Sequence, residues 1–246
     1  MNKSLYVAMT GAQEILNAQA VNNFNLANVD TTGFKAELSA FQSQAVNGSG
    51  YASRVYATDH TTGWNSAPGP MITTGRPLDV AVQGQGFIAV QGPNGQEAYT
   101  RNGDLHVNAN GMLITSTGQI VLGDGGPISL PPSTSVKIGA DGSVSVVPQG
   151  QGPSTLATVG RIKLVNPAPG SLERGADGLF VTTNGAAVAA DASVRLASGV
   201  LESSNVDVAD AMVNMIDLAR SFELQVKVMK ADKGNSAASS QLLQPG

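Results

Sequence analysis

Gly84-Gln85-Gly86 is the first stretch of the sequence that invites a chemical reading. It follows the apolar run LDVAV, where a glycine-rich turn can bring backbone N–H groups against a phosphate. The third glycine of a dinucleotide loop is replaced by Ala89, and residues 87–90 read as a strand rather than the start of a helix. A tight turn is therefore expected, and no cofactor. His60 and His106 lie far apart, and neither belongs to a spaced set with Asp or Glu, so no metal site is expected. Asp79, Asp104, Asp124, Asp141, Asp177 and Asp191 mostly stand beside glycine or at strand ends, where the short carboxylate favours turns. Two of them meeting in space as a glycosidase dyad is the catalytic arrangement that the sequence leaves open. Asp124-Gly125-Gly126 is too short for a repeated calcium motif, and no Gly-x-Ser-x-Gly elbow occurs. The expectation is a protein that is not an enzyme.

The bulk composition points the same way. The 246 residues include 29 glycines and 12 prolines, with 4% aromatic and 13% charged side chains. That charged share is about half of what globular domains carry. Much of the apolar content is Ala and Val, which suggests turn-rich β structure joined to something helical and alanine-rich. The net charge of −4 comes without any basic cluster, which excludes nucleic acid as a partner. Absence of cysteine excludes disulfides and thiolate chemistry. No stretch approaches the roughly 18 apolar residues of a membrane span, so no direct membrane insertion is expected. The opening MNKSLYVAMTGAQEIL is broken by polar residues before an apolar signal core forms, and no cleavable signal is expected.

Three textures follow one another along the chain. From about residue 4 to 29, Leu5, Ala8, Met9, Ala12, Ile15, Leu16 and Ala20 recur at helical spacing, with Leu26 beyond. The expected helix ends near Thr31-Thr32-Gly33-Phe34, with Gly33 as the left-handed residue after the last turn and Phe34 packing back on it. Asn22, Asn23, Asn25 and Asn28 crowd this end, although asparagine competes with a helix for its backbone groups. From 76 to 201, short Val, Ile and Leu runs alternate with glycine punctuation, as in VKI, VSVV and RIKLV. Asp141-Gly142 between two alternating runs is a hairpin signal, and Asn102-Gly103, Asn110-Gly111 and Thr117-Gly118 mark further turns. From about 205 to 244 helical periodicity returns. Val208, Met215, Phe222 and Met229 are spaced by heptads, as are Met212, Ala219 and Val226, which together make an a/d seam. Residues 36–75, rich in Ser, Gly and Thr, read equally as arm, loop or strand. The expected fold class is α+β, mainly β. Terminal helices (1–35 and 202–246) pack as an antiparallel coiled-coil pair, with an extended linker (36–75) and an inserted antiparallel β domain (76–201).

Two end blocks carry a family resemblance. NNFNLANVDTTGFK (22–35) resembles the asparagine-rich signature of the rod, hook and hook-associated proteins of the bacterial flagellum. Phe24 stands where that family often has a second Ala-Asn unit. SGVLESSNVDVADAMVNMIDLARSFELQVK (198–227) resembles the matching C-terminal signature, Leu-Glu-x-Ser-Asn-Val followed by Met-Ile-x-x-x-Arg-x-Phe-Glu. The resemblance continues through DVAVQGQGFIAV, AYTRNGDLHVNANGMLITSTGQIVLG and ADGLF, and so covers most of the chain. RPLDVAV, GGPI, VGRIKLV and MIDLARSFELQVK lean towards the proximal rod within that family.

The resemblance implies a structural subunit of the flagellar basal-body rod, the torque-transmitting drive shaft that crosses the periplasm. Such subunits pass unfolded through the flagellar export apparatus without a cleaved signal. Their partners are copies of the same chain in a helical array and other rod subunits. The implied assembly interface comprises Leu5, Met9, Ala12, Leu16 and Leu26 on the first helix, with Asn22, Asn23, Asn25 and Asn28, then Gly33 and Phe34. It continues through Ser204 and Asn205 to Val208, Met212, Met215, Ile216, Ala219, Phe222, Val226 and Met229. Asparagine at a helical seam fixes register at a cost in stability. Two other readings compete. One is the distal rod or another axial subunit, told apart by the inner β domain. The other, of a different class, is a secreted β-rich carbohydrate-active or adhesive protein whose helices merely stabilise a monomer.

Overall fold

Both alanine-rich ends of the chain carry a helix, and the described residues between them form strands, turns and loops. The computed structural model describes residues 3–45, 55–152, 155–168, 170–175 and 177–242. Two units emerge, each discontinuous in sequence. A helical unit takes Met1–Asn28, Ala36–Trp64 and Val206–Gly246, and a β unit takes Val29–Lys35 and Asn65–Asn205. The chain crosses between them at 28/29, 35/36, 64/65 and 205/206.

In the helical unit, α1 (Lys3–Ala27) packs against α2 (Val208–Leu242). Residues 243–244, the expected end of the second helix, lie outside the described residues. Asp207 starts α2 as its cap, its Oδ1 accepting from the N–H groups of Ala209 (2.8 Å) and Asp210 (3.3 Å). Three contacts give the direction. Leu5 and Tyr6 share a cleft with Met229 and Lys233, Gly11 faces Gln225, and Asn22 Nδ2 donates to the Ala211 carbonyl at 2.8 Å. The order reverses from one helix to the other, so the pair is antiparallel. The buried face of α1 is Ala8, Ala12, Ile15 and Ala18. Small side chains let the two backbones approach, and a Cβ on Gly11 would already lie 3.2 Å from Gln225 Nε2.

Two details differ from the sequence-based expectation. The helix stops at Ala27, and Gly33 is not its left-handed cap. Asn28 ends α1 instead, its Nδ2 donating to the Phe24 carbonyl at 2.9 Å. Gly33 does have positive φ (69°), but it belongs to the β unit, in a turn closed by the Phe34 N–H donating to the Thr31 carbonyl. The face that α2 turns inward carries Ala211, Met215, Leu218, Phe222, Gln225 and Met229, which are buried or half-buried. That row alternates by four and three, like the expected seam. It takes 211 and 218 where the expected seam has 212 and 219, and at the next turn Gln225 and Val226 are both half-buried. Ala211 fits where Asn22 of α1 reaches its carbonyl, which turns Met212 outward.

Residues 36–75, open to three readings from sequence, are largely strand. β1 (Glu37–Ala45) and β2 (Val55–Trp64) form an antiparallel ribbon from Glu37↔Trp64 to Ala45↔Val55, with a register shift at Leu38/Ser39. A two-stranded ribbon is marginal alone. Here it lies along α1.

The β unit begins with β3 (Met71–Thr73), β4 (Val80–Gln83), β5 (Phe87–Gln91) and β6 (Glu97–Thr100). Its largest sheet has the order Leu164–Val165, β5, β6, Phe180–Thr182, Leu172–Arg174. A three-stranded sheet of Ser133–Ile138, Ser143–Pro148 and Ala157–Arg161 adjoins the same core. The Asp141-Gly142 hairpin forms as expected. Gly142 has φ 85°, and the Asp141 carboxylate accepts from the Ser143 N–H and hydroxyl. The core is aliphatic, with Val80, Val82, Val90, Val121, Val144 and Val146 packed against Ile88, Leu105 and Leu113. β-branched side chains suit this half-buried pleated surface. The last strands of the unit fold back on its first: Arg195–Ser198 pairs with β4, and Val200–Glu202 with β3.

Candidate functional site

In the helical unit α1 turns three alanines and Ile15 inward, and both helices leave large apolar side chains exposed. Of the residues expected on α1, Ala12 is buried and Leu26 half-buried, whereas Leu5, Met9 and Leu16 face out, Met9 at 52% exposure. On α2, Met215, Phe222, Val226 and Met229 are half-buried, and Val208, Met212, Ile216 and Ala219 face out, Met212 at 55%. The outer surface also carries Tyr6, Phe24, Val213, Leu224 and Val228, which sequence reasoning missed. Their signal was present: an apolar run broader than one seam can bury. Of the eighteen large hydrophobic residues exposed among the described residues, thirteen lie in the helical unit. Exposed large apolar side chains are thus concentrated in this unit.

The asparagines take separate tasks. Asn22 ties α1 to the first turn of α2, as described above. Asn25 pairs with the backbone of Glu37, its Nδ2 donating to the carbonyl at 2.9 Å and its Oδ1 accepting from the N–H at 2.8 Å. This doubled amide contact anchors β1 to α1 within the helical unit. Asn28 satisfies a helix-end carbonyl, and Asn23 is exposed.

Within the β unit, Gly33, Phe34, Ser204 and Asn205 surround a buried charged cluster. Lys35 and Glu202 have 0% exposure, and Lys35 Nζ donates to Glu202 Oε1 at 2.6 Å and to the Ala67 carbonyl at 2.8 Å. Arg101 Nη1 donates to Glu202 Oε2 at 2.9 Å, while its Nη2 donates to the Gly84 carbonyl at 2.6 Å. The Gly69 N–H also donates to Glu202 Oε1, at 3.0 Å. Burial pulls the Lys35 pKa below its ordinary value, and the hydrogen bond and charge of Glu202 act in the opposite direction. Arg174 lies over the Phe34 ring at 4.2 Å and donates to the Lys35 carbonyl at 2.8 Å. Asn205 Nδ2 donates to the carbonyls of Asn65 and Ala67, both at 2.9 Å. Lys35, Arg101 and Glu202 escaped sequence reasoning, although each sits in a block that carries the family resemblance. In a chain so poor in charge, an ionic residue beside glycine and aromatic residues was the available clue.

The residues first considered for chemistry are structural where described. Gly84 and Gly86 have φ of 73° and 126° and form the tight turn between β4 and β5. A Cβ on Gly86 would lie 2.8 Å from Val194 Cγ1. Asp79 accepts from the Thr74 hydroxyl at 2.6 Å, and Arg76 bridges Asp79 (3.3 Å) and Asp104 (3.1 Å). His106 sits at the edge of that group, 3.2 Å from Arg76 Nη2. The His60 side chain lies outside the described residues. Among the described residues, no cluster of three His, Cys, Asp or Glu side chains is placed to hold a metal ion. No described helix is long and apolar enough to cross a membrane.

Comparison with known proteins follows the same blocks. Residues 81–146 match the model of the flagellar hook protein FlgE/F/G D1 domain. Residues 197–242 match that of the flagellar basal body rod FlgEFG protein C-terminal region. The chain is 44% identical to the flagellar basal-body rod protein FlgF of Salmonella typhimurium over 249 aligned positions, covering 99% of each chain. It is 43% identical to FlgF of Escherichia coli with the same coverage. The rod protein FlgG of Buchnera aphidicola subsp. Schizaphis graminum is 34% identical, over 92% of this chain and 94% of its own. Matches of this extent cover both helices and the β unit, and they show that the chain belongs to the flagellar basal-body rod protein family.

Proposed function

We propose that the chain is a structural subunit of the flagellar rod, of the proximal type, joined to copies of itself and to other rod subunits through the outer faces of its terminal helices. The observation that carries this reading is the sorting of side chains in the helical unit. The alanine face of α1 lines the intramolecular seam, and Met9, Leu16, Met212 and Ile216 are left outside. A monomer would gain nothing from that arrangement. Two different stripes, one on each helix, make a head-to-tail contact in which α1 of one copy meets α2 of the next. Such a contact generates a ring or a helical array.

On this reading the terminal segments, 1–35 and 202–246, act as the assembly domain, with coiled-coil packing between helices. The central region, 76–201, is the β domain. The exposed Asn23 and the ties made by Asn22, Asn25 and Asn28 set the register in which neighbours stack. The rod crosses the periplasm, and the subunit reaches it through the flagellar export apparatus without a cleaved signal. A thin aliphatic core and the absence of disulfides suit a chain that travels unfolded. The work is mechanical and calls for no enzyme activity.

The test is light scattering and circular dichroism of the full chain across a concentration series, repeated on Met9→Ser/Leu16→Ser and on Met212→Ser/Ile216→Ser. The wild type should associate and gain helix as concentration rises. Both variants should remain monomeric with unchanged β signal and should fail to restore swimming to a strain lacking its rod subunit. A wild-type chain that stays a fully helical monomer at every concentration would overturn the reading.

A further inference from the structure

Three of the four places where the chain passes between its units meet around Glu202. Lys35 is the last residue before the 35/36 crossing, Asn65 the first after 64/65, and Asn205 the last before 205/206. Beyond its side-chain bonds to Lys35, Arg101 and Gly69, Glu202 accepts from the Gly33 N–H through its backbone carbonyl at 2.7 Å. The Ser203 N–H donates to the Pro70 carbonyl (2.8 Å), and the Asn205 N–H to the Phe34 carbonyl (3.3 Å). The approach is too close for larger residues. A Cβ on Gly69 would lie 2.0 Å from the Ser203 carbonyl oxygen, and one on Gly33 would lie 2.3 Å from the Arg101 carbonyl carbon.

We infer that this cluster is a single two-state junction: residues 33–35, 65–70 and 202–205 open together or not at all, with the Glu202 carboxylate as the common lock. The argument is electrostatic. Lys35 and Arg101 are both buried, and the one carboxylate between them pairs with each. Withdrawing 33–35 or 202–205 alone breaks a buried ion pair. Withdrawing 65–70 alone takes the Ala67 carbonyl from Lys35 Nζ and the Gly69 N–H from Glu202 Oε1. Each partial opening therefore leaves a buried ionic group short of a partner, at a greater cost than one neutral hydrogen bond. Partial opening is thereby disfavoured relative to complete opening. The function is to root the segments leading to α1, the ribbon and α2 at one rigid place on the β unit. A load or a shift in one then reaches the others without fraying the strands between.

Amide hydrogen exchange on the full chain, kept dilute, tests this directly. The N–H groups of Gly33, Gly69, Ser203 and Asn205 should exchange with one common opening equilibrium. In Glu202→Gln, which keeps the shape and removes the charge, all four should exchange faster by the same factor, more than about tenfold. The core amides of Val90 and Val144 should be unchanged. Lys35→Met should speed Asn205 and Ser203 as well, although the Lys35 ammonium donates to Ala67 and Glu202. If Glu202→Gln does not fold, Glu202→Asp, which keeps the charge and shortens its reach, supplies the same comparison. Unequal factors among the four amides would overturn the inference, as would acceleration of the core amides by the same factor. No acceleration at all would overturn it too.

Discussion

Gly33 shows how much one residue can be asked to do. Its φ of 69° lies where a side chain is strained, and its Cα faces the backbone of Arg101. Gly33→Ala should lower the stability of the β unit by at least about 1–2 kcal/mol from the backbone alone, with the steric clash added. The check is the thermal midpoint followed by circular dichroism. Tyr99 gives a pH-dependent counterpart. Burial pushes its phenol up to about 12, while the hydrogen bond from the Val188 N–H opposes the shift. The unfolded chain releases that proton near 10, so between about 10 and 12 the folded state holds more protons. Stability should therefore fall as pH rises through that window. In Tyr99→Phe the fall should be shallower, as read from melting midpoints at a series of alkaline pH values.

At the scale of elements, the paired helices make opposite demands on their two faces. Ala12 lies in the tight seam, so Ala12→Leu should destabilise the helical unit by about 1–3 kcal/mol through overpacking. Met9, three residues earlier in the chain, faces out, and Met9→Ser should leave the monomer's melting curve nearly unchanged. The pair of denaturation curves separates an inner face from an outer one. Much of this was legible beforehand: both helices, the β region and the Asp141-Gly142 hairpin follow from periodicity and turn residues. The inner row of α2 was not. Met212 is the stronger apolar signal beside Ala211, and Gln225 carries none, so the heptad pattern alone chose the wrong neighbour. The end of α1 was also obscure, because the pattern of apolar residues runs on past Ala27 while Asn28 stops the helix through a hydrogen bond. The ionic cluster depends on residues brought together from 35, 101 and 202, and no local pattern reveals such a meeting.

For the molecule as a whole, the sparse charge decides what kind of association to expect. Only 13% of residues are charged, and the outward stripes of α1 and α2 are apolar. Raising salt to about 1 M shortens the screening length to roughly 3 Å and removes most of any surface ionic attraction. Association should persist or strengthen under those conditions, as followed by light scattering. Dissociation by salt would point to charge contacts instead.

The helical unit draws α1 from the start of the chain and α2 from its end, with the entire β unit encoded between them. Contacts so distant in sequence are closed late, because the intervening chain must first be brought together. A chain emerging from its N-terminus offers α1 only the β1/β2 ribbon until residues beyond 208 have arrived. The surface best suited to joining neighbours is thus completed by the final segment delivered. Timing is written into the order of the sequence: α1 and its ribbon come first, and the helix that completes the pair comes after the β unit.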